Sequence, residues 1–495
     1  MQLLDSPADA AQWLRDRVRG ELRTDSRRVQ AGDGFIAWPG AATDGRRYLH
    51  DALGQGAAAC LMEAEGSEPW QDLPGADRLA RMPGLKRLLG PVASLYYGEP
   101  SQGLDVLAVT GTNGKTSTSW WLAQSLTALG QPCSLVGTLG SGQVTALQST
   151  GLTTPDPVSL QHQFRQDVAQ GLRFCAIEAS SIGLAEHRLD GTRIRLAIFT
   201  NFTQDHLDYH GSMAAYWQAK AALFDWPGLQ AAVISVDDPQ GVQLAQQLAG
   251  RPGLDLWTCS SRGEARLQVR AEPGTEGMHL TWQEGGERVT CHRPLVGDYN
   301  VNNLLGVMAS LRALGFGLSQ AVEATAQLSP VPGRMQRVTG RAGQDPLVLV
   351  DYAHTPDAIR QVLRALRPLA QRRDGRLWCL LGCGGDRDAS KRPLMAAAAE
   401  MADEVILTSD NPRSESAERI VAQMKSGLSR PEQARVELDR AKAIAMTVSL
   451  AAARDVVLLA GKGHESTQEI QGVRYAFSDV EQAALALRQR AEVCA

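Results

Sequence analysis

The chain has 495 residues, 43% of them apolar, with 48 glycines and a formal net charge of −4. That length exceeds a single core and points to about three domains, and the charge balance gives no electrostatic footing for nucleic acid or an anionic membrane. Eight cysteines are scattered without C-x-x-C pairs, against structural zinc or a disulfide framework and for reduced thiols. The first residues lack a basic and then apolar leader, and no apolar run nears the ~18 residues of a membrane helix. A soluble cytoplasmic protein without membrane insertion is therefore expected. Only seven lysines stand against 43 arginines, which draws notice to Lys115, Lys220 and Lys462.

Taken in order, residues 1–103 read as a first α/β unit. A helix is expected over 9–18 and a strand over 34–38, followed by a helix at 48–53 and a strand at 57–62. The run Asp25, Ser26, Arg27, Arg28 before a strand suits either a nucleotide contact or a turn cap. Residues 100–103 read as a linker. A second unit, 104–332, alternates strands at 106–109, 133–136, 174–178, 196–200 and 232–236 with helical stretches, the pattern of a mainly parallel sheet covered on both faces. Residues 264–293 read as a hairpin turning at Gly285 and Gly286, and residues 298–314 as a helix. The third unit, 333–495, carries strands at 347–350, 377–381, 404–408 and 456–460, with a helix across 396–402. The Gly382, Cys383, Gly384, Gly385, Asp386 turn is no dinucleotide fingerprint.

The chain is organised around a β-branched run at 106–109 that feeds Thr110, Gly111, Thr112, Asn113, Gly114, Lys115, Thr116 and Ser117, with a helix expected over 117–129. Glycines let a loop turn its N–H groups and a helix N-terminus toward phosphate. Lys115 would reach the outer phosphates and Thr116 would meet Mg²⁺. Val109 stands where the general phosphate loop has its first glycine. Acidic Glu178 after an apolar strand suits a divalent cation. The stretch Asn201, Phe202, Thr203, Gln204, Asp205, His206, Leu207, Asp208 offers several ligands after the next strand, and Lys220 is a scarce lysine nearby. In parallel sheets such residues gather at the carboxyl ends of strands.

These stretches, together with Glu178 to Ser181, Gly297-x-x-Asn300-x-x-Asn303 and Asp351, Tyr352, Ala353, His354, Thr355, Pro356, resemble the Mur ligases, the ATP-dependent amino-acid ligases of peptidoglycan precursor synthesis. The likeness runs in order from about residue 24 to 470, and the short loop with Val109 fits it. It implies three domains: an N-terminal UDP-sugar-binding α/β domain, a central P-loop ATPase with a mainly parallel sheet, and a C-terminal Rossmann-like domain for the incoming amino acid.

By the same resemblance, residues 111–117 with Asn303, Arg334 and Asp351 bind ATP. Thr116 and Glu178 hold one Mg²⁺, and His206 with a CO₂-derived carbamate on Lys220 holds a second. His354 orders the loop around Asp351. Ser26, Thr153, Thr154, Ser180, Glu186 and Arg188 align with positions that bind the UDP-sugar dipeptide. Ile182 replaces an expected histidine, Glu186 an often-seen glutamine, and residues 41–43 lack the polar side chains expected near the uracil ribose. Asp410, Asn411, Pro412 and Arg413 look like the motif of members that add meso-diaminopimelate to UDP-N-acetylmuramoyl-L-alanyl-D-glutamate. Arg413 offers a two-pronged donor for the distal carboxylate that lysine lacks; Arg387, Gly461 and Glu465 complete that site. The implied partners are small molecules only, and a monomer is expected. L-lysine as substrate, a sibling such as folylpolyglutamate synthetase or the D-Ala-D-Ala-adding ligase, and a non-catalytic nucleotide-binding regulator are the alternatives.

Overall fold

In the computed structural model, residues 1–40, 43–70, 73, 75–274, 277–341 and 343–493 are described. Ala41 and Ala42, part of the segment expected near a uracil ribose, lie outside them. Three large sheets follow one another along the chain, with a separate two-stranded one, Thr467–Ile470 and Val473–Ala476, in the last part. The first is wholly parallel and runs Gln2–Leu3, Leu79–Met82, Ala59–Glu63, Gly34–Ala37, Leu22–Arg23. The second has ten strands, with Asp105–Thr110 between Ile194–Phe199 and Phe174–Glu178, all parallel. The third places Val456–Ala460 between Leu347–Asp351 and Leu377–Leu381, followed by Glu404–Leu407 and Arg435–Val436, with antiparallel Gln336–Val338 at the other edge.

The central strands are apolar on both faces because both faces are covered. Leu107, Val109, Ile198 and Val233 face one buried cluster with helices Lys115–Ala128 and Asp298–Ala313. Val106, Ala108, Ile177 and Phe199 face another with helix Pro157–Ala169. Register then sets the site. Thr110 pairs with Phe199 and Val109 with Glu178, so the loop after 110, the acid at 178 and the segment after 199 leave the sheet at one level.

Several boundaries differ from the sequence reading. Residues 264–293 form a three-stranded meander, Leu267–Gly274, Gly277–Glu284 and Glu287–Arg293, which extends the central sheet through the pairing of Cys259 with Leu267. The two-glycine turn at 285–286 stands between its last two strands. Residues expected as a linker form a 3-10 turn, Pro100–Gln102, with Pro100 and Ser101 buried. The loop helix starts at Lys115 rather than 117, since Gly114 at φ +87° caps it. The alanine-rich helix is Lys391–Ala399, shifted toward the N-terminus. Glu178 is the last residue of its strand. Among the described residues, no helix is long and apolar enough to cross a membrane.

Candidate active site

Two glycines allow the loop its shape. Gly111 sits at φ +145°, where a Cβ would lie 1.9 Å from Thr200 Oγ1, and Gly114 at φ +87°, where one would lie 2.2 Å from Asn303 Oδ1. The segment after the neighbouring strand grips the loop. Thr112 N–H donates to Asn201 O at 2.9 Å and Asn113 N–H to Asn201 Oδ1 at 2.9 Å. Thr200 Oγ1 and Asn201 Nδ2 both donate to Asn113 O. Thr112 Oγ1 donates to Thr203 O and meets the Tyr216 hydroxyl at 3.1 Å. A rigid loop opening a helix N-terminus is an anion site by construction.

Lys115 Nζ folds over its own loop, donating to Gly111 O and Thr112 O at 2.9 Å each. Lys220, 1% exposed, donates to the same Gly111 carbonyl at 2.7 Å and lies over the Tyr216 ring. Desolvation pushes the Lys220 pKa far below the ordinary lysine value, and the Lys115 charge adds to the effect despite Asp205. Desolvation also lowers Lys115, against the pull of Glu178 and Asp205. Beside them Thr116 Oγ1 donates to Glu178 Oε2 at 3.0 Å, and Thr138 donates to both Glu178 oxygens. Ser117 is buried at the start of the helix. His206 stands in the left-handed region at φ +53°, its Nε2 3.5 Å from Asp205; burial, and then Lys115 and Lys220, lower its pKa.

A second patch adjoins Glu178. Thr154 Oγ1 donates to Glu178 O at 2.7 Å and lies 2.9 Å from Ser180 Oγ, Thr153 Oγ1 lies 3.1 Å from Thr138 Oγ1, and Arg188 Nη1 donates to Thr154 O. Glu186 points elsewhere: it pairs with Lys86 at 2.8 Å and accepts from the Tyr209 hydroxyl. Burial opposes its ionisation, but Lys86, Tyr209 and Arg188 together hold its pKa below the usual range. The unexpected acid is thus neutralised by a lysine of the first unit. Ser26 is buried in the turn Ser26–Arg28 of that unit, and no bond connects it to the patch.

The third unit closes on the loop. Arg334 Nη2 reaches Thr116 Oγ1 at 3.4 Å and its guanidinium lies over Tyr352. Asp351 accepts from the N–H groups of Met335 and Ala353, fixing the connector. Burial raises the Asp351 pKa, opposed by Arg334. Asn303, buried, lines Gly114 and donates weakly to Asn300. His354 Nδ1 sits 2.8 Å from Tyr352 O; burial and then Lys391 push its pKa down to about 4.

At the strand ends of the third sheet, Asn411 Nδ2 donates to Glu465 Oε2 at 2.8 Å, and buried Lys462 donates to Asn411 Oδ1 and Glu465 Oε2, 3.8 Å from Asp410. Gly461 at φ +113° leaves room for Asp410, whose Oδ2 would lie 2.6 Å from a Cβ there. Arg413, left-handed at φ +52°, donates from Nη1 to Gly385 O at 2.6 Å, while Pro412 O lies 1.9 Å from a Cβ built on Gly385. Arg387 is exposed, and its Cγ and Arg413 Nη1 would lie 3.9 and 3.0 Å from a Cβ built on Gly384. Thr138, Thr200 and Lys86 were not foreseen, and of these Lys86 alone, as a scarce lysine, left a sequence signal.

Fold and site together define a three-part α/β protein with an anion-binding loop at its centre. Residues 109–311 match the Mur ligase middle domain and residues 333–463 the Mur ligase glutamate ligase domain. A relative from an Acidovorax species, named UDP-N-acetylmuramoyl-L-alanyl-D-glutamate--2,6-diaminopimelate ligase, is 58% identical over 100% of this chain and 99% of its own. One of the same name from Pseudomonas aeruginosa is 48% identical over 96% of both. A solved structure of a ligase of that name aligns with a TM-score of 0.64 at 35% identity over 95% of each chain. The structure of MurF from Acinetobacter baumannii shares the fold at 17% identity, with a TM-score of 0.66 over 92% of this chain and 95% of its own. This chain belongs to the Mur ligase family.

Proposed function

We propose that the protein joins meso-2,6-diaminopimelate to UDP-N-acetylmuramoyl-L-alanyl-D-glutamate with ATP, through an acyl phosphate, in cytoplasmic peptidoglycan precursor synthesis. The observation that carries the choice of amino acid is that Arg413 and Arg387 both lie beside Gly384, next to Asn411, whose amide binds Glu465. Two guanidinium groups there suit a distal carboxylate, which L-lysine does not present. Glu465 and Asp410 supply the anions for its ammonium.

The D-glutamyl carboxylate attacks the γ-phosphorus of ATP and releases ADP; the amine then displaces phosphate through a tetrahedral intermediate. Residues 111–117 cradle the phosphates, Lys115 neutralises the outer ones, and Asn303, Arg334 and Asp351 hold the nucleotide at the seam. Three anionic groups must meet, so positioning and charge neutralisation supply most of the acceleration. Ser26, Thr153, Thr154, Ser180 and Arg188 bind the UDP-sugar dipeptide; Glu186, turned to Lys86, braces the patch from outside.

Magnesium fits the donor set: Thr116 Oγ1 and Glu178 Oε2 are hard oxygen ligands 3.0 Å apart beside the loop. Thr116 and Glu178 would hold one ion, and His206 with Lys220 a second. Bound there, Mg²⁺ offsets charge on the phosphoryl oxygens. Lys220 suits the second place only as a carbamate; burial lowers its pKa and so favours the neutral amine, the form that adds CO₂. The domain limits that go with these roles are 1–103, 104–332 and 333–495, supported by one sheet of five or more strands within each.

Phosphate release from ATP and Mg²⁺ with UDP-N-acetylmuramoyl-L-alanyl-D-glutamate, comparing meso-diaminopimelate with L-lysine, tests the reading. Turnover with diaminopimelate alone is expected. Turnover with lysine would overturn the role of Arg413, and none with either, in bicarbonate, would overturn the reaction.

A further inference from the structure

An ion pair with no solvent access lies behind two strand ends of the third sheet. Arg440 opens helix Arg440–Leu450 and Asp479 opens helix Asp479–Val493, and both side chains are 0% exposed. The guanidinium donates through Nε and Nη2 to the two oxygens of Asp479, at 2.7 Å each. It also donates through Nη1 to Ser409 O at 3.1 Å and through Nη2 to Ala460 O at 2.9 Å. Ser409 and Ala460 are the residues immediately before Asp410 and Gly461.

Strands Glu404–Leu407 and Val456–Ala460 are not neighbours, since Leu377–Leu381 lies between them. No ladder hydrogen bond joins them directly. Their ends nonetheless converge: a Cβ on Gly382 would lie 2.8 Å from Ser409 O and Asp410 N, and one on Gly461 2.6 Å from Asp410 Oδ2. One guanidinium spans that gap by its carbonyl bonds, and the carboxylate of the last helix fixes its plane.

We infer that Arg440 and Asp479 are positioning residues that set the spacing between the segments 410–413 and 461–465, and through it the affinity for the incoming amino acid. The inference rests on the assignment of those segments to the amino-acid site. Energetics favours it over a role in stability alone. Desolvating two charges is costly, and well-packed apolar side chains in such places are often as stable or more so. What an apolar pair cannot do is hold a carboxylate on one edge of a planar fork and two carbonyls on the others. A lysine, a single point charge, cannot hold all four acceptors at these distances either.

The test uses the full chain carrying Arg440→Lys, Asp479→Asn, or Arg440→Met with Asp479→Leu. Amide hydrogen exchange is followed in peptides covering 405–413 and 456–466, alongside KM for each substrate. In the single variants, exchange should quicken in both segments together and little elsewhere. KM for diaminopimelate should rise tenfold or more, with KM for ATP and for the UDP-dipeptide within twofold and kcat changed less than that KM. The apolar double variant should recover wild-type Tm yet keep the KM defect, which a purely structural role would not produce. Unchanged exchange in both segments, or quickened exchange with unchanged KM, would overturn the inference. Failure of the wild-type protein to use diaminopimelate would overturn the substrate assignment alone, since the exchange measurement still decides whether the two segments are held by this pair.

Discussion

Lys115 and Lys220 turn their ammonium groups to one carbonyl, that of Gly111, so one of them is expected to be neutral at rest. Burial lowers both pKa values, that of Lys220 further. Lys220→Arg keeps a cation that cannot take up CO₂, and kcat should fall by about 10²–10⁴-fold; a carbamate resonance from ¹³CO₂ should appear in wild type and vanish in the variant. His464 and His354 make a separate prediction about pH. Burial, with Arg334 beside His464 and Lys391 near His354, pushes both pKa values down to about 4. Between pH 4 and 6.5 the unfolded chain therefore holds the extra protons, so stability rises with pH across that window and levels off above it. Each imidazole accounts for roughly 3 kcal/mol lost on acidification below 4. Urea unfolding at pH 4, 5, 6 and 7 should show a slope smaller by about one proton in His464→Gln; an unchanged slope would remove His464 from the account. Placement at this scale was readable where residue type is rare or follows a strand, as with Lys220 and Glu178, which the fold sets beside the loop. The partner of Glu186 was not, because Lys86 is 100 positions away and only packing brings it near.

Among elements, the loop and its helix act as a unit. Gly114→Ala would put a left-handed alanine, strained by about 1–2 kcal/mol, against Asn303 Oδ1. Tm should fall by a few degrees, while ADP affinity, followed by fluorescence titration, should drop at least about tenfold because the cradle itself shifts. Equal affinity in the two proteins would mean that the loop tolerates the displacement. Strand positions in the central sheet were readable because a run buried on both faces is apolar throughout. The meander at 267–293 has one strand, Leu267–Gly274, more than a hairpin turning at Gly285 and Gly286 would have. Its pairing with Cys259 is tertiary.

Across the whole molecule, the three units present their ligands to shared seams. Arg334 of the third reaches Thr116 of the second, and Lys86 of the first reaches Glu186 of the second. If the substrates divide among the units as proposed, binding ATP and the UDP-dipeptide together should draw the chain inward. Small-angle scattering should then record a smaller radius of gyration than with either ligand alone, and no change would mean that the seams are already closed.

The sequence by itself determined the α/β alternation and the loop at 110–117, and singled out the acids, lysines and arginines proposed for the site, because periodicity, glycine placement and strand-end position are local properties. Tertiary structure alone decided what Glu186 pairs with, how 200–203 grips the loop, and how Arg440 links two strands that are not neighbours. Those depend on sheet order and on helices returning across the chain, and burial gives them their strength: a charge or carbonyl far away in sequence becomes the nearest partner only once water is excluded.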